Sequence, residues 1–294
     1  MHHDRFDYSP IIDRPNLRLP GNARVALWVV PNIEHFLFDR PSTSLVPFTA
    51  PFVPDVLNYG WRDYGVRVGI WRLMEALERH GIRGTVALNS DVCDRYPRII
   101  EEGLKLKWDW MGHGTNNSTL LNSQDKAEEQ GIVKGVLHKI SQATGRRPKG
   151  WLGPALTESF NTLDILAEEG VEFVADWCND DLPYQMRTTA GKMYSIPYSL
   201  EINDICAFLD LKKSADEFYR MIMDQFEVLY EEGKKSPRVM SICLHPFIIG
   251  HPFRIKYLNR ALAEIAANDG VWLATGTEII EWFKKESEAG GGRG

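Results

Sequence analysis

Apolar runs that stop abruptly at polar residues recur along this chain and alternate with stretches of helical character. The clearest run, Val239–Leu244, ends at His245-Pro246. Proline cannot donate to a sheet ladder, so the pattern predicts a buried parallel strand with an imidazole at its carboxyl end. Other apolar runs predict strands at Ala23–Val30, Thr85–Leu88, Lys107–Gly112, Lys149–Gly153, Phe173–Asp176, Ser195–Pro197 and Val271–Thr275. Helices are predicted at Gly69–His80, Asp94–Gly103, Gln124–Thr144, Asn161–Glu169, Ser214–Glu232 and Asn259–Asn268. Gly81, Gly145 and Gly170 act as stops, and a closing helix runs into a Gly-rich tail. Strand–helix alternation at this spacing predicts an α/β fold with a mostly parallel sheet, open or barrel-like. Residues 1–22 read as an extended arm carrying Pro10, Pro15 and Pro20. Residues 36–64 read as a long lid-like loop rich in proline and aromatics. No internal repeat or interdomain linker is visible, so residues 1–294 read as one domain.

Composition narrows the class. A length of 294 residues suffices for one large α/β core, and 44% hydrophobic with 25% charged residues is ordinary for a soluble globular protein. The net charge of −6 argues against nucleic acid or an anionic membrane as the main partner. Cys93, Cys178, Cys206 and Cys243 show neither close pairing nor zinc-type spacing, which suits a reducing compartment. The polar, proline-rich start has no apolar signal region, and no run of ~18 apolar residues spans a membrane. A cytoplasmic location is expected.

In a parallel sheet the carboxyl ends of the strands share one rim, where α/β proteins bind ligands. The first strand leads into Asn32-Ile33-Glu34-His35, and a later one into His113-Gly114-Thr115-Asn116-Asn117. Another ends in Asp176-Trp177-Cys178-Asn179-Asp180-Asp181, and the Val239 strand ends in His245. Each has a plain reading alone: a surface carboxylate, a turn histidine between glycines, a capping group. One carboxylate, two histidines and several amides on one rim point instead to a catalytic site. An imidazole such as His245, titrating near neutrality, can act there as a general acid or base.

These residues, in this order, resemble the polysaccharide deacetylase superfamily, in particular its allantoinase-like and cyclic-imide-hydrolase-like branch. The likeness covers roughly residues 20–285. It is carried by Asn32-Ile33-Glu34, by Asp63-Tyr64-Gly65-Val66-Arg67-Val68-Gly69-Ile70-Trp71-Arg72 and by Gly112-His113-Gly114. Asp176-Trp177, Asp180-Asp181 with Pro183-Tyr184, Ile196-Pro197-Tyr198 and His245-Pro246 with Gly250, Pro252 and Arg254 complete it. The resemblance implies a deformed (β/α) barrel of mostly parallel strands. It also exposes departures. Metal-dependent deacetylases carry an Asp pair after strand one and His-x-x-x-His later. This chain has Asn32 and Glu34 at the first place, and His113 with Asn117 at the second. The arginine that usually orients the base is not evident near Trp151-Leu152-Gly153-Pro154. A zinc site wants three good protein ligands. If a metal is bound, Glu34, His113 and Asn117 would hold it, with the amide a poor third. Metal-independent hydrolysis without a cofactor is therefore favoured, with zinc or another divalent ion as the alternative.

The expected function is hydrolysis of a non-peptide C–N bond in a small cyclic or linear amide, of ureide or imide type. Glu34, His113 and His245 are the expected catalytic residues. Asn32, Asn117 or backbone N–H groups near Gly114 would hold the oxyanion, and Trp61 and Asp176 would contact substrate. Arg67 and Arg72 read as surface or subunit ion pairs, and Tyr64 and Trp71 as packing residues. His35 and His251 fall outside the pattern, and His2, His3, His80 and His138 read as solvated. Two alternatives stand beside this: a metal-dependent N-deacetylase of an amino sugar or glycan, and an inactive barrel that binds a metabolite or a protein. The aromatics Phe36, Phe38, Phe48, Phe52, Tyr59 and Trp61 call for a cover, either the barrel or a second copy. A homo-oligomer, dimer or tetramer, is thus expected.

Overall fold

Nine strands form one curled sheet in the computed structural model, which describes residues 3–122 and 125–291, with side chains to Glu288. The expectations for His2, for the helix start at Gln124 and for the last three tail residues lie outside the described residues. In chain order the strands are β1 (Val25–Ile33), β2 (Thr85–Leu88), β3 (Asp109–Gly112), β4 (Gly150–Trp151), β5 (Phe173–Val174), β6 (Tyr184–Met186), β7 (Met193–Ser195), β8 (Arg238–Leu244) and β9 (Val271–Leu273). The spatial order is β6-β7-β5-β4-β3-β2-β1-β8, with β9 on β1. Every pairing is parallel except β6 with β7.

β1 is buried along all nine residues, as a strand covered on both faces must be. Its side chains alternate between two apolar layers. Val25, Leu27, Val29 and Ile33 join the layer beneath the helices, while Ala26, Trp28 and Val30 fill the inside of the curl with Met111, Phe173 and Ile196. The free edge of β8 is met by the opposite end of the sheet through irregular chain: Val239 N–H donates to Asp181 O at 2.9 Å and Cys243 N–H to Ile202 O at 3.0 Å. The result is an α/β half-barrel whose parallel strands all end at one rim.

Several boundaries differ from those expected. β1 runs on to Ile33, because β8 pairs with it as far as Pro31 and β2 takes Asn32 and Ile33. The stretch 36–64 is loop only to Asp55. Asp55 caps a helix, α1 (Val56–Tyr64), by accepting from Asn58 N–H. A single wide turn, Gly65–Gly69, joins α1 to α2 (Ile70–Arg79). The helix expected at Asp94–Gly103 is two, Asp91–Arg95 and Pro97–Lys105. The one expected from Asn259 begins at Pro252, whose fixed φ suits a first helical turn. β6 carries no run long enough to be seen in the sequence. All four cysteines are free. Among the described residues no helix is long and apolar enough to cross a membrane.

The turn before α2 seats the end of β8. A methyl group added at Gly69 would lie 2.0 Å from Pro246 O, so backbone meets backbone there without a side chain between. Gly69→Ala is therefore expected to destabilise the fold by about 1–3 kcal/mol through overpacking, read by thermal or urea unfolding. An unchanged midpoint would show that the contact yields freely.

Candidate active site

The parallel ladder continues past the strand ends and sets the rim residues side by side. Asn89 N–H donates to Ile33 O at 3.2 Å, His113 N–H to Leu88 O at 3.0 Å, Leu152 N–H to Gly112 O at 2.9 Å and Ala175 N–H to Trp151 O at 2.9 Å. Glu34, Asn89, His113, Leu152 and Asp176 thus come from five successive strands. The chain turns away after His113 because Gly114 takes φ 67°, a conformation open to glycine. His245 arrives from β8 on the far side of β1.

Glu34 is the centre of the arrangement and is 8% exposed, with His113 at 2% and His245 at 4%. Its Oε1 accepts from Asn117 Nδ2, faces His113 Nε2 at 3.3 Å and lies 3.7 Å from His245 Nε2. Its Oε2 is buried without a partner. His113 Nδ1 lies 2.7 Å from Leu152 O. A carbonyl can only accept, so Nδ1 carries the hydrogen and Nε2 is the nitrogen turned to Glu34.

His245 is held by Asp204, a residue the sequence reading passed over. Asp204 accepts from His245 Nδ1 at 2.7 Å and from its backbone N–H at 2.8 Å. Burial disfavours the imidazolium, but the carboxylates of Asp204 and Glu34 outweigh it, so His245 is raised above the ordinary histidine value. No local motif announces Asp204. It opens a short helical turn directly after Asn203, which bridges to Cys243 across the seam. Asn89 was also missed, although it directly follows the strand Thr85–Leu88 and the strand-end rule applies to it.

The other expected site residues are placed as follows. Asn117 reaches Glu34. Asn32 is buried behind the centre, with its amide spent on Tyr198 Oη at 3.0 Å and Leu244 O at 3.4 Å. Asp176 accepts from Gly153 N–H at 2.7 Å. Burial, then the neighbouring Glu158 carboxylate, pushes Asp176 well above the usual carboxyl range, and burial raises Glu158 as well. Trp61 is half-buried, edge-on to Phe247 at 5.0 Å, and Phe247 is in turn edge-on to His245 at 5.7 Å. Of the loop aromatics, Phe36 is buried, Tyr59 and Trp61 are half-buried, and Phe38, Phe48 and Phe52 are exposed. His251 stacks on Tyr64 at 4.2 Å, and His35 Nδ1 lies 3.2 Å from Tyr96 Oη. Arg67 pairs with Asp63 as a surface ion pair, whereas Arg72 donates to Tyr64 Oη and to Gly250 O. His3 and His138 are exposed, but His80 is half-buried.

A divalent metal does not fit this set. Asn117 turns its NH₂, a donor, toward Glu34 and spends its oxygen on Asn89. Among the described residues no group of three or more His, Cys, Asp or Glu side chains is placed to hold a metal ion. The space beside Glu34, bounded by His35, Phe36, Tyr59, Arg62 and Asp63, is about 10 Å³, room for roughly one water. Loop 36–55 is tied over this region: Leu37 N–H donates to Ser118 Oγ, Ser42 Oγ to Asn117 O, and Arg62 to Thr43 O.

The profile of the polysaccharide deacetylase family matches residues 61–174. A protein of Schizosaccharomyces pombe described as a putative polysaccharide deacetylase is 27% identical over 293 residues, covering 90% of this chain and 87% of that protein. A probable polysaccharide deacetylase from Pseudomonas aeruginosa superposes with TM-score 0.85 at 28% identity, covering 93% of this chain and 95% of that one. The structure of Puue allantoinase superposes with TM-score 0.84 at 26% identity, covering 95% and 98%.

The His245–Asp204 pair makes a prediction that needs no substrate. The His245 ring, followed by NMR, should titrate above 6.5, and Asp204→Asn should lower its midpoint. A folded value above the unfolded one stabilises the protein fully below pH 6.5, and that contribution is lost as pH rises through the folded value. The stability gap between the native chain and Asp204→Asn should accordingly narrow as pH rises. An identical titration in both proteins would remove Asp204 from this role.

Proposed function

We propose that this chain, which belongs to the polysaccharide deacetylase superfamily, opens the C–N bond of a small cyclic or linear amide, of ureide or imide type, without a metal. The observation that carries the reading is the buried Glu34 carboxylate: its Oε1 faces the imidazoles of His113 and His245, and its Oε2 is left without a partner. A buried acceptor without a partner is costly unless a water or a reacting group takes it. Glu34 takes a proton from water, and the hydroxide oxygen attacks the amide carbonyl carbon. The tetrahedral adduct then collapses with loss of the C–N bond. His245, whose protonated form the Asp204 carboxylate favours, gives its Nε2 proton to the departing nitrogen. Glu34 then passes its proton to His245 Nε2, which restores both groups as the carboxylic acid and amine products separate. His113 is fixed through Leu152 O, with its Nε2 beside Glu34 Oε1 at 3.3 Å. Asn32 and Asn117 are committed to Tyr198 and Glu34, which makes them supports of the site rather than free oxyanion donors.

The likeness to an allantoinase over nearly the whole chain supports a small amide. So do the hydrogen bonds that tie loop 36–55 to the segment after His113, at Ser118 Oγ and Asn117 O. The descriptions of the other relatives favour the second reading, deacetylation of an amino sugar or glycan. The exposed Phe38, Phe48 and Phe52 support the proposal of self-association through this cover.

The test is a turnover screen of the purified chain on ureides, cyclic imides, lactams and acetylated sugar oligomers. Turnover of a ureide or imide is expected. Glu34→Gln should abolish it in a folded protein, and His245→Ala should lower kcat by ~10²–10⁴. Near-normal kcat/KM in either variant would unseat that residue, and efficient deacetylation of a glycan oligomer would install the second reading. Prolonged chelation should leave the activity intact, checked against the metal content of the sample. Activity lost on removing a tightly bound divalent ion and restored with it would reverse the metal-free reading.

A further inference from the structure

We propose that Asn89 is a positioning residue: it fixes the direction of an amide relay that ends on Glu34, and so decides that Asn117 meets the carboxylate with N–H rather than oxygen. This rests on the reading of Glu34 as the base. The relay is anchored in backbone. Asn89 Oδ1 accepts from His35 N–H at 2.9 Å, and Asn89 Nδ2 donates to His113 O. Neither partner can change role, because a backbone N–H only donates and a carbonyl only accepts. Turning the Asn89 amide over would set NH₂ against N–H and oxygen against oxygen in a fully buried place. The second hydrogen on Asn89 Nδ2 goes to Asn117 Oδ1 at 3.0 Å. Asn117 is thereby left with its own NH₂ as the group that faces Glu34 Oε1. Its place is also held by the main chain, since Asn117 N–H donates to His35 O at 2.9 Å.

Two consequences follow. An N–H on Oε1 holds the carboxylate in one rotamer and leaves Oε2 as the free oxygen. The same N–H puts a donor where a cation shared with Glu34 and His113 would need a third lone pair. Asn89→Asp reverses this logic. Its carboxylate would offer only acceptors to His113 O and Asn117 Oδ1. The relieving move is a turn of the Asn117 amide, which brings its oxygen beside Glu34 and His113.

The experiment compares the native chain with Asn89→Asp, Asn89→Ser and Asn117→Asp. It uses side-chain amide NMR, calorimetric titration with zinc chloride, and steady-state kinetics on whichever amide the screen identifies. The Asn117 amide signals, assigned by their loss in Asn117→Asp, should be shifted and slow to exchange in the native chain. They should lose both properties in Asn89→Asp and Asn89→Ser. Zinc affinity should rise about tenfold or more in Asn89→Asp, and kcat should fall about tenfold or more with KM little changed. Asn89→Ser stands in should Asn89→Asp fail to fold. Unchanged Asn117 signals in both Asn89 variants would overturn the proposal, as would tight zinc binding by the native chain. Absence of turnover on every amide would instead remove the base reading, and the amide signals would still decide the relay.

Discussion

The structure depends on one constraint: a carboxylate is buried at the rim of the half-barrel and must be satisfied there. Glu34 lies under the 36–55 cover, where an ionised group without partners would cost several kcal/mol. The answer is a ring of groups each fixed by something rigid. Asn117 is fixed through Asn89, His113 through Leu152 O, and His245 through Asp204. None of the three depends on a surface side chain held by packing alone. That is how one oxygen of Glu34 can be left free without the site relaxing around it.

The same economy appears behind His113. The peptide group between Leu152 and Gly153 accepts from His113 Nδ1 with its carbonyl and donates to Asp176 with its N–H. Asp176 in turn has the Glu158 carboxyl as its neighbour, to which Trp177 Nε1 donates at 3.1 Å. A residue expected to touch substrate is thus a partner of the backbone that holds the histidine. Hydrogen bonds in series through one peptide polarise each other, so this buried acid pair and the imidazole form one unit.

Access and chemistry are linked by the first loop. It leaves β1 directly after Glu34, bonds to the segment after His113, and hands the chain to α1 and α2, whose turn seats the end of β8 at Gly69. Movement of the loop would be felt at Asn117 and at His245 together.

The sequence by itself determined a mostly parallel α/β sheet and which strand ends carry polar groups. Both follow from local patterns: apolar runs of strand length that stop at Glu34, His113 and His245, and the rule that parallel strands end at one edge. Set beside the family it resembles, it also implied departures from the metal-dependent pattern at Asn32, Glu34 and Asn117. Asn89 was legible by the same rule, because it ends the Thr85–Leu88 strand, yet an amide there looks like turn chemistry. Helix α1 was hidden because its aromatics and Gly60 resemble loop, and its cap at Asp55 shows only once Asn58 N–H is seen to bond it. Only the tertiary structure decided Asp204, the committed amides of Asn32 and Asn117, and the direction of the relay. Asp204 lies 41 residues from His245 and meets it through the closing of the seam between β8 and the chain near Ile202. Which end of an amide faces a neighbour is set by backbone donors and acceptors brought together from different strands, and no run of residues encodes that pairing.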